Sequence, residues 1–376
     1  MNELLPFLLR RENVARYDDG TVIICDRRKY PFERTFVRCP DVESVACAVE
    51  QMVTQGGGPW VAAAYAMVGA ARRVDGRSFG EALSQLESAR QRLVAARPTH
   101  TGLARRLDDF MQQADQVLQV GAPLEATMLR WVEDMRDRYY AQMEVMGSYG
   151  ADLLEDGDGV LTSCFAESSF VLSLITAERQ GKRIHVWAPE TRPYLQGARL
   201  TAPSLHEMGI PVQVISDNMP AYIMSQGKIQ KYFTAADLVT LDGHVVNKIG
   251  TFQSAVAAHH HGIPYFVFSV SPDHSKPNAA SIVIEERNPS ELRTCCGALT
   301  TLEEIGAYYP AFDITPPHLV AGIITEHGVL SPYDLVRYYG RSMEKRETQR
   351  SVSSVPADCN DAVNGIRVSI SSHRRG

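Results

Sequence analysis

The sequence predicts an α/β fold in two parts, and three observations lead there. From about Asp152 onward, β-branched strand runs alternate with helical patterns, the rhythm of a parallel sheet covered on both faces. Before that point helical patterns follow one another, with only two short strands ahead of them. The chain has 376 residues at 44% hydrophobic content, enough to bury a large core and, by length, to form about two domains. The expected division is a small, mostly helical N-terminal domain with a strand pair over 1–125 and a Rossmann-like domain with a largely parallel sheet over 126–345. A tail over 346–376, rich in Ser and Arg, is expected to be flexible.

In the first part, 21–26 and 33–38, two short runs separated by a Pro-containing turn, read as antiparallel strands. Helical patterns then run over 42–53, 60–73, 79–95, 101–120 and 124–150. In the second part the expected strands are 159–162, 184–188, 211–215, 238–241, 265–270 and 282–284. Helices are expected between them, at 168–180, 197–208, 219–227 and 248–260. Three of these strands end in loops of reactive or phosphate-compatible side chains, around Cys164, around Gln196 and Gly197, and from Asp242 to Asn247 and Lys248. In an open α/β sheet, ligands sit outside the carboxyl ends of parallel strands, so the three loops outline one crevice.

Composition narrows the partners. The formal charge is -6 and no Lys/Arg run is interleaved with aromatics, which argues against nucleic acid. A phosphate site would have to be made locally. The seven cysteines (Cys25, Cys39, Cys47, Cys164, Cys295, Cys296 and Cys359) are odd in number and lack paired CxxC spacing, against both a disulfide framework and a zinc site. His259, His260 and His261 are consecutive and point in different directions on a helix, so no metal is assigned. The apolar run at the N-terminus is too short for a signal peptide, and no stretch approaches the ~20 apolar residues of a membrane span. The expectation is a soluble cytoplasmic protein without a membrane partner.

Within the crevice, Cys164 stands at a strand-to-helix junction, where helix amides can stabilise a thiolate; a buried structural cysteine is the alternative. Asp237 is flanked by Ala235, Ala236 and Leu238, a setting that raises a carboxyl pKa and suits a general acid, against a plain cap or turn residue. Asp242, followed by Gly243, reads as a turn residue. Gln196 and Gly197 open one predicted helix and Asn247 and Lys248 another. Helix amides with Lys and Asn side chains bind phosphate, and a Lys in a first turn opposes the helix dipole unless an anion is there. Gly56 and Gly57 lie in a glycine run before a small-residue helix and can bring amides close to an anion, or can simply be a flexible connection. Arg97 offers a second cation, or an ordinary solvated turn arginine.

The blocks 190–202, 216–219, 247–251, 310–316 and 324–328 resemble the methylthioribose-1-phosphate isomerases, which share a fold with ribose-1,5-bisphosphate isomerases and with regulatory subunits of an initiation-factor exchange complex. The resemblance runs from about Tyr17 to Tyr339. It implies a catalytic pair of Cys164 and Asp237, the latter ten residues before Asn247, and places Arg97, Gln196, Asn247 and Lys248 around a sugar phosphate. Three departures surround that site. Thr54-Gln55-Gly56-Gly57 stands where the family has Arg-Gly-Ala-Pro, Phe165-Ala166-Glu167 where it has Asn-Ala-Gly or Asn-Thr-Gly, and Leu238 where it has Arg.

The resemblance therefore implies an aldose-ketose isomerase acting on a 5-substituted ribose 1-phosphate, methylthio, 5-deoxy or 5-halo, with Phe165 favouring something apolar near the sugar. Asp237 would be the general acid at the ring oxygen and Cys164 the base at C2, with a hydride shift as the mechanistic alternative. No metal or organic cofactor is expected, and a homodimer is. The competing readings are a non-catalytic regulatory protein on the same fold, which would not keep both Cys and Asp, and a ribose-1,5-bisphosphate isomerase, which would want more cations.

Overall fold

A computed structural model describes residues 2–98, 100–165 and 167–339, so the expected tail and Cys359 lie outside the described residues. A helical turn, α1 (Arg11–Val14), leads into β1 (Ala15–Asp18), β2 (Thr21–Cys25) and β3 (Phe36–Cys39). The strand pair predicted here is a three-stranded antiparallel sheet, because β1 folds back on β2. Asp19 and Gly20 form the two-residue loop with φ of 43° and 83°. Positive φ at both positions marks a type I′ hairpin, for which Asp-Gly is a favoured pair.

Five helices follow: α2 (Val42–Glu50), α3 (Gly58–Arg73), α4 (Phe79–Ala95), α5 (Thr101–Gln119) and α6 (Leu124–Asp152). Capping boxes start α2 (Asp41 with Ser44) and α4 (Ser78 with Glu81), satisfying amides that the first turn leaves free. The centre of this part is α3, buried from Gly58 to Ala71. Its alanines let neighbouring helices approach closely on every side. The 29-residue α6 joins two cores. Leu124, Met128 and Val132 pack with α3, whereas Tyr140, Met143, Met146 and Ala151 belong to the cluster under the main sheet. Gly147 permits that second contact, since a Cβ there would stand 2.7 Å from Leu172 Cβ.

The main sheet contains β4 (Gly159–Leu161), β5 (His185–Pro189), β6 (Val212–Ile215), β7 (Lys231–Ala235), β10 (Tyr265–Phe268), β14 (Gly322–Thr325) and β15 (Gly328–Leu330). Its order is β15-β14-β10-β7-β4-β5-β6, parallel throughout except for β14 with β15. Helices α7 (Glu167–Arg179), α8 (Ala202–Glu207), α9 (Pro220–Ser225) and α10 (Thr251–His260) alternate with its strands, as expected.

The strand assignment in this half differs from the sequence reading in three places. Residues 231–235 form a central strand that the sequence reading left out. Its short run is flanked by polar residues, yet Tyr232 is fully buried and stacks on Tyr265 at 4.4 Å. The strand expected at 238–241 is a two-residue segment, β8 (Leu238–Val239), in a separate antiparallel sheet with β9 (Val245–Lys248) and β13 (Phe312–Thr315). Residues 282–284 are irregular, and Ile282 and Ile284 pack beside Val246 and Phe312 instead of joining the main sheet. A small hairpin, β11 (Thr294–Cys295) with β12 (Ala298–Leu299), follows the one-turn helix α11 (Ser290–Arg293). No helix among the described residues is long and apolar enough to cross a membrane.

Candidate active site

The strand order reverses at one point of the main sheet. From β4 the chain steps outward through β5 and β6, then returns to place β7 on β4's other side. The loops after adjacent strands β4 and β7 diverge there and leave a crevice at their carboxyl ends, the place where open α/β sheets bind ligands. Cys164 follows β4 by three residues and Asp237 follows β7 by two. Both line a cavity of about 200 Å³, closed from the other side by residues of α3, α5 and α6. Every predicted site residue lines it: Gly56, Gly57, Arg97, Cys164, Gln196, Asp237, Asn247 and Lys248.

Cys164 is held by its backbone. Its N–H donates to Thr191 Oγ1 at 3.1 Å, and Thr201 Oγ1 donates to its carbonyl at 2.6 Å. Thr191 is fixed in turn, its N–H and that of Arg192 donating to the two oxygens of Asp217. Cys164, Thr191 and Leu195 all have φ between 60° and 66°, left-handed values that cost a non-glycine residue energy. Strain of this kind persists where surrounding contacts over-determine it, and it clusters at functional sites.

The electrostatics correct one expectation and support another. Cys164 was expected to have a depressed pKa from the following helix. Burial instead pushes its thiol up to about 11, and Lys248, the Phe165 amide and Arg287 pull it down only in part. Asp237 is raised, as expected for a carboxyl among small apolar residues, mainly by desolvation and against Arg97, Lys248 and Arg287. Burial lowers Lys248 to about 8. Its Nζ, in a residue only 4% exposed, lies 4.8 Å from the Phe312 ring centre and has no hydrogen-bond partner among the described residues. Gln196 Oε1 is likewise buried and unpartnered, while its Nε2 faces Gln55 Oε1 at 3.4 Å. Burial lowers Arg97, with Asp237 opposing.

Asn247 and Lys248 do not open a helix. They end β9, with both side chains buried, and α10 begins three residues later at Thr251. The amides of Gly250 and Phe252 at that helix start are occupied by Asp313 Oδ2, at 2.7 and 3.1 Å, and burial raises this carboxyl to about 6. Lys248 therefore meets the cavity as a strand residue, with no helix N-terminus behind it.

Sequence reasoning missed four contributors. Arg287, in the irregular segment after 282–284, acts electrostatically on both Cys164 and Asp237 and is anchored to Glu285 Oε1 at 2.7 Å. His100 caps α5 by accepting from the Leu103 N–H at 3.0 Å, its other ring nitrogen lies 3.2 Å from the Gly56 carbonyl, and burial lowers it to about 4. Glu167 takes the Gly57 N–H at 2.9 Å and faces Arg27 Nη1 at 3.4 Å. Arg27, 1% exposed, also lies over the Phe165 ring at 5.1 Å. Arg27 lies in the turn just after β2, and a buried charge there is an unusual choice unless paired.

Comparison with known proteins identifies the family of the chain. The Initiation factor 2 subunit family matches residues 59–332. The methylthioribose-1-phosphate isomerase of Xanthomonas campestris pv. campestris is 38% identical over 341 residues, covering 86% of this chain and 96% of that protein. The enzyme of the same name from Fervidobacterium nodosum is 37% identical over 329 residues, covering 83% and 92%. Among solved structures, 5-methylthioribose 1-phosphate isomerase from Pyrococcus horikoshii OT3 superposes with a TM-score of 0.76 at 30% identity, over 92% of this chain and 97% of that one. A structure titled translation initiation factor eIF-2B, subunit delta, from A. fulgidus gives 0.73 at 34% identity, over 86% and 97%.

Proposed function

This chain belongs to the methylthioribose-1-phosphate isomerases of the Initiation factor 2 subunit family, and from that premise we propose that it converts a 5-substituted ribose 1-phosphate into the ribulose 1-phosphate. Methylthioribose 1-phosphate is the first substrate to expect, and 5-deoxy or 5-halo analogues extend the class. The observation that carries the reading is the meeting of Cys164 and Asp237 after adjacent parallel strands, in one cavity with the unpartnered ammonium of Lys248.

The phosphate on O1 prevents the substrate from opening as a free sugar does, so the ring oxygen must be protonated as the C1–O bond to the ring breaks. Asp237, raised by burial, supplies that proton as general acid. Lys248, Arg97, Gln196 and Asn247 hold the phosphate, with the Gly56–Gly57 loop closing over the sugar. Cys164 is the base at C2. Its proton is taken up from C2, an enediol phosphate forms, and reprotonation at C1 gives the ketose. Both polar steps take place among groups that the fold has already desolvated, where fixed charges act more strongly than in water.

A hydride shift from C2 to C1 is the second route, and one observation favours it: a thiol held at about 11 leaves little thiolate at neutral pH. Substrate deuterated at C2 separates the two. Label retained at C1 supports the shift, and label washed into solvent supports proton transfer. The function itself is tested by incubating the purified protein with a panel of 5-substituted ribose 1-phosphates and following ketose formation by phosphorus NMR. Absence of turnover with every member would sink it. A cytoplasmic homodimer completes the proposal, the dimer being checked by light scattering after size exclusion.

A further inference from the structure

We infer that Glu167 is a specificity residue: with its own carboxylate it fills an anion site made by the Gly57 amide and Arg27, and so restricts the cleft to sugars that carry one phosphate. The inference rests on the sugar-phosphate reading above and adds the charge of the group allowed beside the first.

Glu167 stands at the first position of α7 with φ of 62°, a left-handed conformation for which glycine is the easy choice. A glutamate kept there at a cost has a job for its side chain. One oxygen accepts from the Gly57 N–H at 2.9 Å, immediately before the 16-residue α3, where a helix N-terminus favours negative charge. The other faces Arg27 Nη1 at 3.4 Å, and the same guanidinium nitrogen donates to the Gln55 carbonyl at 2.8 Å. These are the partners of a bound anion, an amide at a helix start and a buried guanidinium, with a carboxylate from the same chain as the anion.

The fit extends to its neighbours. Gly56 has φ of 59°, and a Cβ built on it would fall 1.7 Å from Glu167 Oε1. Glycine at 56 and glutamate at 167 therefore occupy one space jointly. A Cβ built on Gly57 would stand 3.1 Å from Glu167 Oε2, 3.0 Å from the Tyr139 hydroxyl and 3.5 Å from Trp60 Nε1. That indole N–H belongs to a residue 1% exposed and has no acceptor among the described residues. Glu167, Trp60 and Tyr139 all line the cavity. A donor with no acceptor beside a carboxylate suits a neutral group that both gives and takes a hydrogen bond, such as a sugar hydroxyl. A second phosphate arriving here would meet a carboxylate at contact distance and find its amide taken.

Calorimetric titration with ribitol 1-phosphate and ribitol 1,5-bisphosphate, which cannot isomerise, reads the inference without requiring turnover. The wild-type protein is expected to bind the bisphosphate no tighter than the monophosphate. In Glu167→Gly, which relaxes the backbone and frees both Arg27 and the Gly57 amide, the bisphosphate is expected to tighten relative to the monophosphate by at least about 10-fold. Glu167→Gln keeps the bulk without the charge and should show a smaller gain; it also serves if the glycine variant does not fold, as judged by circular dichroism. An unchanged bisphosphate-to-monophosphate ratio in whichever variants fold, or a wild type that already prefers the bisphosphate 10-fold, overturns the inference and leaves the isomerase reading intact. Failure of the wild type to bind either ligand overturns both.

Discussion

The two walls of the cleft are built from similar residue types and differ in where their charged groups are held. On the sheet wall, Lys248 Nζ and Gln196 Oε1 are buried without partners among the described residues, and Asp237 is pushed toward its neutral form. On the helical wall the polar groups are mostly tied to the chain: the Gly57 N–H to Glu167 of α7, His100 to Gly56 and Leu103, and Arg106 to the Gly102 carbonyl at 3.1 Å with its guanidinium over the Trp60 ring. Leaving a buried polar group unsatisfied costs about 1–3 kcal/mol, so Lys248 Nζ and Gln196 Oε1, with Trp60 Nε1 and Gln55 Nε2 facing them from the helical part, mark the groups that the fold reserves for a ligand. The Gly57 amide, His100 and Arg106 are already held in the free protein, and there they set shape and charge.

If that contrast holds, the largest losses come from the sheet wall. Cys164→Ser or Asp237→Asn should each lower kcat by about 10²–10⁴-fold with the fold unchanged by circular dichroism. Activity near wild type in either would break the assignment of chemistry to this wall.

Lys248 offers a sharper version, because function and stability should move in opposite directions. A lysine lowered from 10.5 to about 8 binds fewer protons folded than unfolded between those values, so stability rises with pH across that window and the cation is a burden below it. Lys248→Met should raise KM for the sugar phosphate by roughly 10²-fold, as expected for losing a buried charge contact, and should raise Tm by a few degrees at pH 7. A fall in Tm would mean that the lysine is satisfied in the free protein, contrary to the comparison.

A third change targets the seam between the walls. In Gly56→Ala the new Cβ meets Glu167 Oε1 and the φ of 59° becomes strained, which should cost about 1–3 kcal/mol of stability in denaturant unfolding. Combining it with Glu167→Gly should return more than half of that loss, since the collision is removed. Additive costs would show that the two residues are not coupled.

The difference between the walls also explains what could be read without a structure. Helices α2 to α7 follow from local periodicity and caps, signals confined to neighbouring residues. Cys164, Gln196, Asn247 and Lys248 were visible because they end or follow apolar runs, and Asp237 because small residues flank it. The central strand β7 was lost because its burial comes from β4 and β10, distant in sequence, and with it went the switch point that brings Asp237 beside Cys164. The Asp19-Gly20 hairpin was available as a turn signal and was passed over. Arg27, Arg287 and the anchoring of Glu167 depend on contacts across 110–140 positions of chain, and periodicity carries no trace of them.

The smallest expected effect belongs to His100, and it separates a histidine in a site from a histidine in a mechanism. Burial beside Arg97 and Arg106 lowers it to about 4, so it is neutral through the physiological range and gives activity no inflection near pH 6.5. Its titration should show in stability instead. Between 6.5 and 4 the unfolded chain binds a proton that the folded chain refuses, so the folded state loses stability as pH falls through that window. Asparagine at position 100 can still cap α5 but carries no such charge. His100→Asn should therefore flatten the dependence of the unfolding midpoint on pH between 6.5 and 4, cost no more than about 1 kcal/mol at pH 7 for the lost contact to Gly56, and leave the pH profile of kcat in place. A kcat profile whose acidic limb disappears in the variant would move His100 from the helical wall to the reacting one.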